Sequence, residues 1–241
     1  MNVIAFDTCL GACSAAVRWL DRIEPGPPEV HHWREATRYE ELATGHAERL
    51  MPMIRDILDE SGRRIQDLDA IAVTEGPGTF TGIRLGVAAA RALALATGLP
   101  VRTTTSLHVI AVQAKDELGD ECLDHKIAVC ADARNKQVFV QLFGDTAASP
   151  LMGAQLLTPE SAAALKPGVP LICVGSAAEF VAEAARRSGR QVTVRLPRIQ
   201  PNARHLAVLA HALEVRKALR PLYLRAPDAK PPSGMSLSRV E

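Results

Sequence analysis

The sequence predicts an α/β protein built in two halves, and three observations predict it. Short apolar runs bounded by turn residues alternate with longer stretches of helical periodicity along the chain. The first hundred residues follow the order β-β-β-α-β-α, and a second alternating block begins after a break near residue 105. The chain has 241 residues, 47% of them hydrophobic and 23% charged. A chain of this length buries about 72% of its surface on folding, enough for a core without metal or disulfide. Such a composition excludes a largely disordered protein.

The elements follow in order. Val3–Asp7 is an apolar run closed by the polar turn TCLGA. Residues 13–20 and 30–34 are further strands, separated by the turn-rich EPGPPE. Strand, turn and strand at the start predict an antiparallel meander. His46–Ser61 carries Leu50, Met53, Ile54, Ile57 and Leu58 at helical spacing. Pro52 removes one backbone bond and clashes one turn back, which predicts a kink or a late start. Gly62 is the expected C-cap. Residues 69–74 form a buried strand, and a helix over 83–97 ends at Gly98-Leu99-Pro100. Val101–Thr104 is a strand and Ser106–Leu118 a helix. Strands are expected at 126–131, 137–143 and 151–156, and near Leu171–Val174 and 192–194. Helices are expected at 158–165, 177–188 and 202–219. The expected division is 1–105, 106–225 and a loose Pro/Ser-rich tail over 226–241. No internal repeat is visible.

The helix over 83–97 carries small residues at every fourth position: Gly82, Gly86, Ala90 and Ala94. Its other faces hold Ile83, Leu85, Val87, Leu93 and Leu95. A helix apolar nearly all round must be covered on more than one side. The rest of the domain or another subunit would supply that cover.

Charge and chemistry narrow the functions. Lys and Arg number 28 against 27 Asp and Glu, a net charge of +1, and aromatic residues are 4%. A chain that grips nucleic acid by itself shows a basic surplus or a stacking platform, and neither is present. Arg186, Arg187 and Arg190 read as a solvated helix end. No window of eighteen uncharged apolar residues predicts a membrane span. The N-terminus lacks a basic region and carries Asp7, so it reads as a strand rather than a signal peptide. Five scattered cysteines fit reduced thiols in a cytoplasm.

The strongest local feature is Glu75-Gly76-Pro77-Gly78-Thr79-Phe80-Thr81-Gly82, between strand and helix. Helix N-termini point unpaired N–H groups outward, and glycines let a phosphate approach. No Gly-Lys-Ser/Thr follows, and Thr81 replaces the third glycine of a dinucleotide fingerprint. Asp7, Thr8 and Asp132 lie at strand ends suited to metal–nucleotide work, and Arg134 is placed to hold a phosphate. The candidate phosphate-like set is therefore Asp7, Thr8, Gly76, Gly78, Thr79, Thr81, Gly82, Asp132 and Arg134. The plainer alternative is a tight turn with no ligand. The histidines lack metal-ligand spacing, Cys9 and Cys13 lack a second pair, and no Gly-x-Ser-x-Gly elbow occurs.

Several strings together resemble one family. They are Ile4-Ala5-Phe6-Asp7-Thr8, the stretch His46-Ala47-Glu48-Arg49-Leu50-Met51-Pro52-Met53-Ile54, and Gly76-Pro77-Gly78-Thr79-Phe80-Thr81-Gly82-Ile83-Arg84-Leu85-Gly86. Asp132-Ala133-Arg134 and Pro221-Leu222-Tyr223-Leu224-Arg225 complete the set. In order and spacing they resemble the TsaB (YeaZ) family over residues 1–225. The resemblance implies two RNase-H-like halves of the actin and sugar-kinase type, with mixed sheets flanked by helices. It implies a cytoplasmic, non-catalytic subunit with no catalytic residue and no metal. The implied partners are a TsaD-like subunit, which transfers threonylcarbamoyl to the adenosine beside the tRNA anticodon, and a TsaE-like ATPase. It implies a homodimer when the chain is alone, tRNA met only through the complex, and no firm cofactor beyond ATP or ADP at the subunit junction. The implied interface comprises His46, Leu50, Met53, Ile54 and Ile57 with Gly82, Ile83, Gly86, Val87, Ala90 and Ala94. The alternative is a stand-alone ATP-binding enzyme of the actin-like kinase superfamily.

Overall fold

Val3–Asp7 forms β1, every residue of it buried, because both of its faces and both of its edges are covered. The computed structural model describes residues 1–144, 149–166 and 168–225. β2 (Ala12–Glu24) pairs antiparallel with β1, and β3 (Val30–Glu41) antiparallel with β2. On the other side β4 (Ala70–Thr74) runs parallel to β1, and β5 (Val101–Thr104) parallel to β4. The order is β3-β2-β1-β4-β5. Side chains alternate across a strand. Thus Ile4, Phe6, Ile71 and Val73 meet helices α1 (His46–Ser61) and α2 (Phe80–Thr97) on one face. Val3, Ala5, Ala70 and Ala72 meet α6 (Ala203–Leu209) on the other.

The second sheet repeats the plan. β6 (Lys126–Asp132) is central, with β7 (Val138–Phe143) and β8 (Gln155–Leu157) following as an antiparallel meander. β9 (Leu171–Val174) and β10 (Thr193–Val194) add in parallel on the far side, giving β10-β9-β6-β7-β8. Helix α3 (Ser106–Leu118) covers one face through Leu107, Ile110 and Ala114. Helices α4 (Pro159–Ala163) and α5 (Ala178–Arg187) cover the other. This is the two-sheet, mixed α/β architecture that the sequence predicts.

Several boundaries differ from expectation. Helix α1 starts at His46 and runs unbroken through Pro52, which lies on its half-exposed side. Strand β3 extends to Glu41 rather than 34, because β2 pairs with it along its length. It is an edge strand rich in charge, which masks its alternation. Helix α2 starts at Phe80, three residues early, since Thr79 accepts the Gly82 N–H and caps it. The strand expected over 151–156 shrinks to Gln155–Leu157.

The expected helix over 202–219 ends at Leu209, followed by one tight turn. Beyond it the chain lies along the open edge of β5. Val215 bridges to Arg102, and the Arg216 N–H donates to the Val101 carbonyl at 2.8 Å. Unpaired edge groups of a sheet outweigh local helix propensity. Helix α6 itself returns to the first sheet, tied by Ser14 Oγ, which donates to Pro201 O and accepts from Ala203 N. Residues expected in the second half thus help build the first. The expected tail over 226–241 lies outside the described residues.

The glycine stripe of α2 faces inward. A Cβ on Gly82 would sit 2.0 Å from Thr8 O, and one on Gly86 2.9 Å from Thr8 Oγ1. Gly82, Ile83, Gly86, Val87 and Ala90 are buried under the chain's own sheet. So are Leu50, Met53, Ile54 and Ile57 of α1, while His46 and Ala94 are half-buried. The expected interface residues are therefore mostly core, and a buried side chain offers a partner no surface. We expect Gly86→Glu and Ala90→Glu to abolish the cooperative urea transition, since each buries an unpaired carboxylate. A folded monomer in either variant would overturn the inward placement.

Candidate functional site

Asp7 closes β1 and is fully buried with Thr8 beside it. Its carboxylate accepts the Cys9 N–H at 3.1 Å and the Thr74 hydroxyl. Burial outweighs these bonds and pushes the carboxyl up from 3.8 to about 6. Thr8 Oγ1 donates to Gly82 O at 2.7 Å. The glycine loop rests directly on this turn. A Cβ on Gly78 would lie 2.0 Å from Cys9 O, and the Thr79 N–H donates to the same carbonyl at 2.7 Å. Gly78 and Gly82 thus serve a backbone-to-backbone approach. Gly76 has φ of +109° and faces Leu222 O, with 2.9 Å left for a Cβ.

A cleft of about 530 Å³ opens on the far side of that loop. Its walls are the starts of α1 and α2 in the first half and Asp132–Arg134 in the second. Of the candidate set, Gly78, Thr79, Thr81, Gly82, Asp132 and Arg134 line it. Asp7, Thr8 and Gly76 are not among its lining residues. Asp132 Oδ1 accepts the Arg134 N–H at 2.8 Å, and the Asp132 N–H donates to Ser176 Oγ at 3.0 Å. Arg134, Asn135 and Lys136 all take left-handed φ, +61°, +50° and +59°. The Asp132 carboxylate is thereby engaged in shaping this turn.

Sequence reasoning missed the third wall. Tyr223 stacks on Phe80 at 5.1 Å between ring centroids and accepts from Arg84 Nε at 2.7 Å. The Arg84 guanidinium lies 3.7 Å from the Phe80 ring centre. Arg225 donates to Ala133 O. The string 221–225 was the available signal, but its partners are remote in sequence. His46, half-buried, contributes to the first wall and contacts Leu10 O at 3.1 Å through Nε2.

Other chemistry is limited. Among the described residues no group of three or more His, Cys, Asp or Glu is placed to hold a metal ion. Of the arginines read as a solvated helix end, two are engaged within the fold. Arg187 pairs with Glu160 and Glu183, and Arg190 donates to the carbonyls of Ala163, Leu165, Lys166 and Val169. Helix α2 is long and apolar enough to cross a membrane by length and composition alone. Its inner side packs against the first sheet.

The model of the family tRNA N6-adenosine threonylcarbamoyltransferase (TsaD) matches residues 39–229. An uncharacterised protein of Mycobacterium tuberculosis is 36% identical over 236 residues, 95% of this chain and 94% of that protein. The tRNA threonylcarbamoyladenosine biosynthesis protein TsaB of Escherichia coli is 34% identical over 139 residues, 58% of this chain and 53% of TsaB. The solved structure of YeaZ from Pseudomonas aeruginosa superposes with a TM-score of 0.74 at 28% identity, covering 92% of this chain and 99% of that one. The chain belongs to the tRNA N6-adenosine threonylcarbamoyltransferase (TsaD) domain family, and the named proteins it is similar to are TsaB and YeaZ. Its match to that structure covers both sheets, whereas its match to E. coli TsaB spans about half of that protein's length.

The buried Asp7 has a measurable consequence. Its folded-state value lies above its unfolded one, so its stabilising contribution is complete below about 3.8 and is lost as pH rises through about 6. Above that, the buried carboxylate costs about 3 kcal/mol. Asn at this position keeps the acceptor for Cys9 and donates to Thr74 instead. We expect Asp7→Asn to be the more stable form at pH 7.5 and to lack the decline between pH 4 and 6. Identical urea midpoints for both proteins across that range would refute this.

Proposed function

We propose that this chain is a non-catalytic, cytoplasmic subunit in tRNA threonylcarbamoyladenosine biosynthesis. It docks a TsaD-like transferase through the outer faces of α1 and α2, and a TsaE-like ATPase completes the assembly. The observation that carries this reading is an apolar helix face left exposed among the described residues. Leu95 is 90% exposed and Met51 50%, and Ala88, Ala92 and Ala96 lie beside Leu95 on the exposed side of α2. Alanines let a second helix approach closely, and large exposed apolar residues gain most from being covered. Without the partner the same face closes on a second copy.

The names of the E. coli TsaB and of the TsaD family model support the pathway. A net charge of +1 supports contact with tRNA through the complex rather than by this chain alone. The stand-alone ATP-binding alternative needs Asp7 and the glycine loop to face a phosphate. Asp7 is instead buried beneath Cys9 and Thr74, so the loop residues that line the cleft have no carboxylate from β1 beside them.

Two measurements test the reading. Modified adenosine is quantified with TsaD-like and TsaE-like subunits, tRNA, ATP and the threonylcarbamoyl-adenylate donor, with and without this chain. Product should depend on the chain, and the chain alone should make none. Equal product without it overturns the proposal. Ala88→Glu and Leu95→Glu should weaken association with the TsaD-like subunit by tenfold or more, about 1.4 kcal/mol, with the unfolding midpoint unchanged. Unaltered association would place the interface elsewhere.

A further inference from the structure

The chain passes between the halves near residue 105 and again near residue 200, where the Gly11 N–H donates to Gln200 Oε1 at 2.8 Å. With α3 packed on α6 and Leu10 touching both cores, these crossings form the closed side of the cleft, and rotation about that side is the freedom left. Closure of this kind is how two-lobed proteins open and shut a cleft. After α6 the chain makes a third crossing. Leu219 is buried in the first core, and its carbonyl takes the Arg91 guanidinium. The Leu222 N–H donates to Glu75 O at 2.7 Å, and Tyr223 holds Arg84 and Phe80. Leu224 then packs into the second core, and Arg225 donates to Ala133 O in the β6–β7 turn. Four consecutive residues thus bond to both halves, and all four line the cleft.

We propose that residues 221–225 form a latch that holds the cleft at one width, so that the two halves move as a single body. The anchor in the first half uses backbone groups and a cation–aromatic stack. The anchor in the second is a turn of three left-handed residues that begins beside Ala133. Gly76 leaves the strap room to lie flat, since any Cβ there would meet Leu222 O. The latch also grips Arg84 through Tyr223, while Leu219 just upstream holds Arg91, the other arginine of α2. Rigidity of the halves and the setting of Arg84 on the α2 surface therefore depend on the same short segment. The latch stands on the fold and does not require the proposed partner.

Spin labels placed on Asp56→Cys of α1 and Glu179→Cys of α5 read the distance between the halves in the full chain. Both positions are exposed, and the five native cysteines are buried and do not compete for label. The latched protein should give one narrow distance distribution. Adding Arg225→Ala with Tyr223→Ala should broaden it or shift it to a second population, while Arg220→Ala, an exposed change just upstream, should leave it narrow. If the double variant fails to fold, Arg225→Ala alone decides. A distribution already broad before these changes, or one equally narrow after Arg225 is removed, overturns the latch.

Discussion

Two stretches of backbone meet at the end of the first sheet with no side chain between them. The β1–β2 turn presents the carbonyls of Thr8 and Cys9, and the start of α2 presents Gly78 and Gly82 against them. Any larger residue at either glycine would overlap a carbonyl oxygen. The Thr79 N–H and the Thr8 hydroxyl then fasten the two stretches by hydrogen bonds. This contact sets the distance and rotation of α2 over β4, and so decides which face of α2 is core and which is surface. It also accounts for Asp7, a carboxyl sealed beneath the contact and held by Thr74 and Cys9 rather than offered to a ligand.

Helix α2 then has two unlike sides. The inner side is small residues with Ile83 and Val87, fitted to the sheet. The outer side is Ala88, Ala92 and Leu95 toward solvent, with Arg84 and Arg91 drawn aside by the C-terminal strap. A helix apolar nearly all round was expected to need cover on more than one side. The sheet supplies one cover, and the outer side is the surface proposed to meet a partner. The cost of exposing a residue such as Leu95, about 1.5–3 kcal/mol relative to burial, is what the proposed docking would recover.

The cleft between the halves is shaped by structural contacts. Asp132 shapes its own turn, Arg225 binds a carbonyl, and Tyr223 ties Arg84. Groups that looked like ligand-binding chemistry in the sequence are largely spent on holding two lobes together. That division of labour suits the subunit role proposed above.

Local pattern by itself determined much of this protein. Periodicity of two and of 3.6 located β1, α1, β5 and α3 to within a residue, because burial of one face is written in adjacent residues. The strings of the glycine loop and of 221–225 marked the family. Tertiary structure alone decided three further things. The shared order of the two sheets is a repeat of topology without repeat of sequence, since many side chains satisfy one backbone plan. The end of α6 was set by the open edge of β5, which a local reading cannot see. The direction of the glycine stripe was set by Thr8 and Cys9, some seventy residues away. A pattern of small residues states that something comes close, and only the packed molecule states that it is the chain's own backbone.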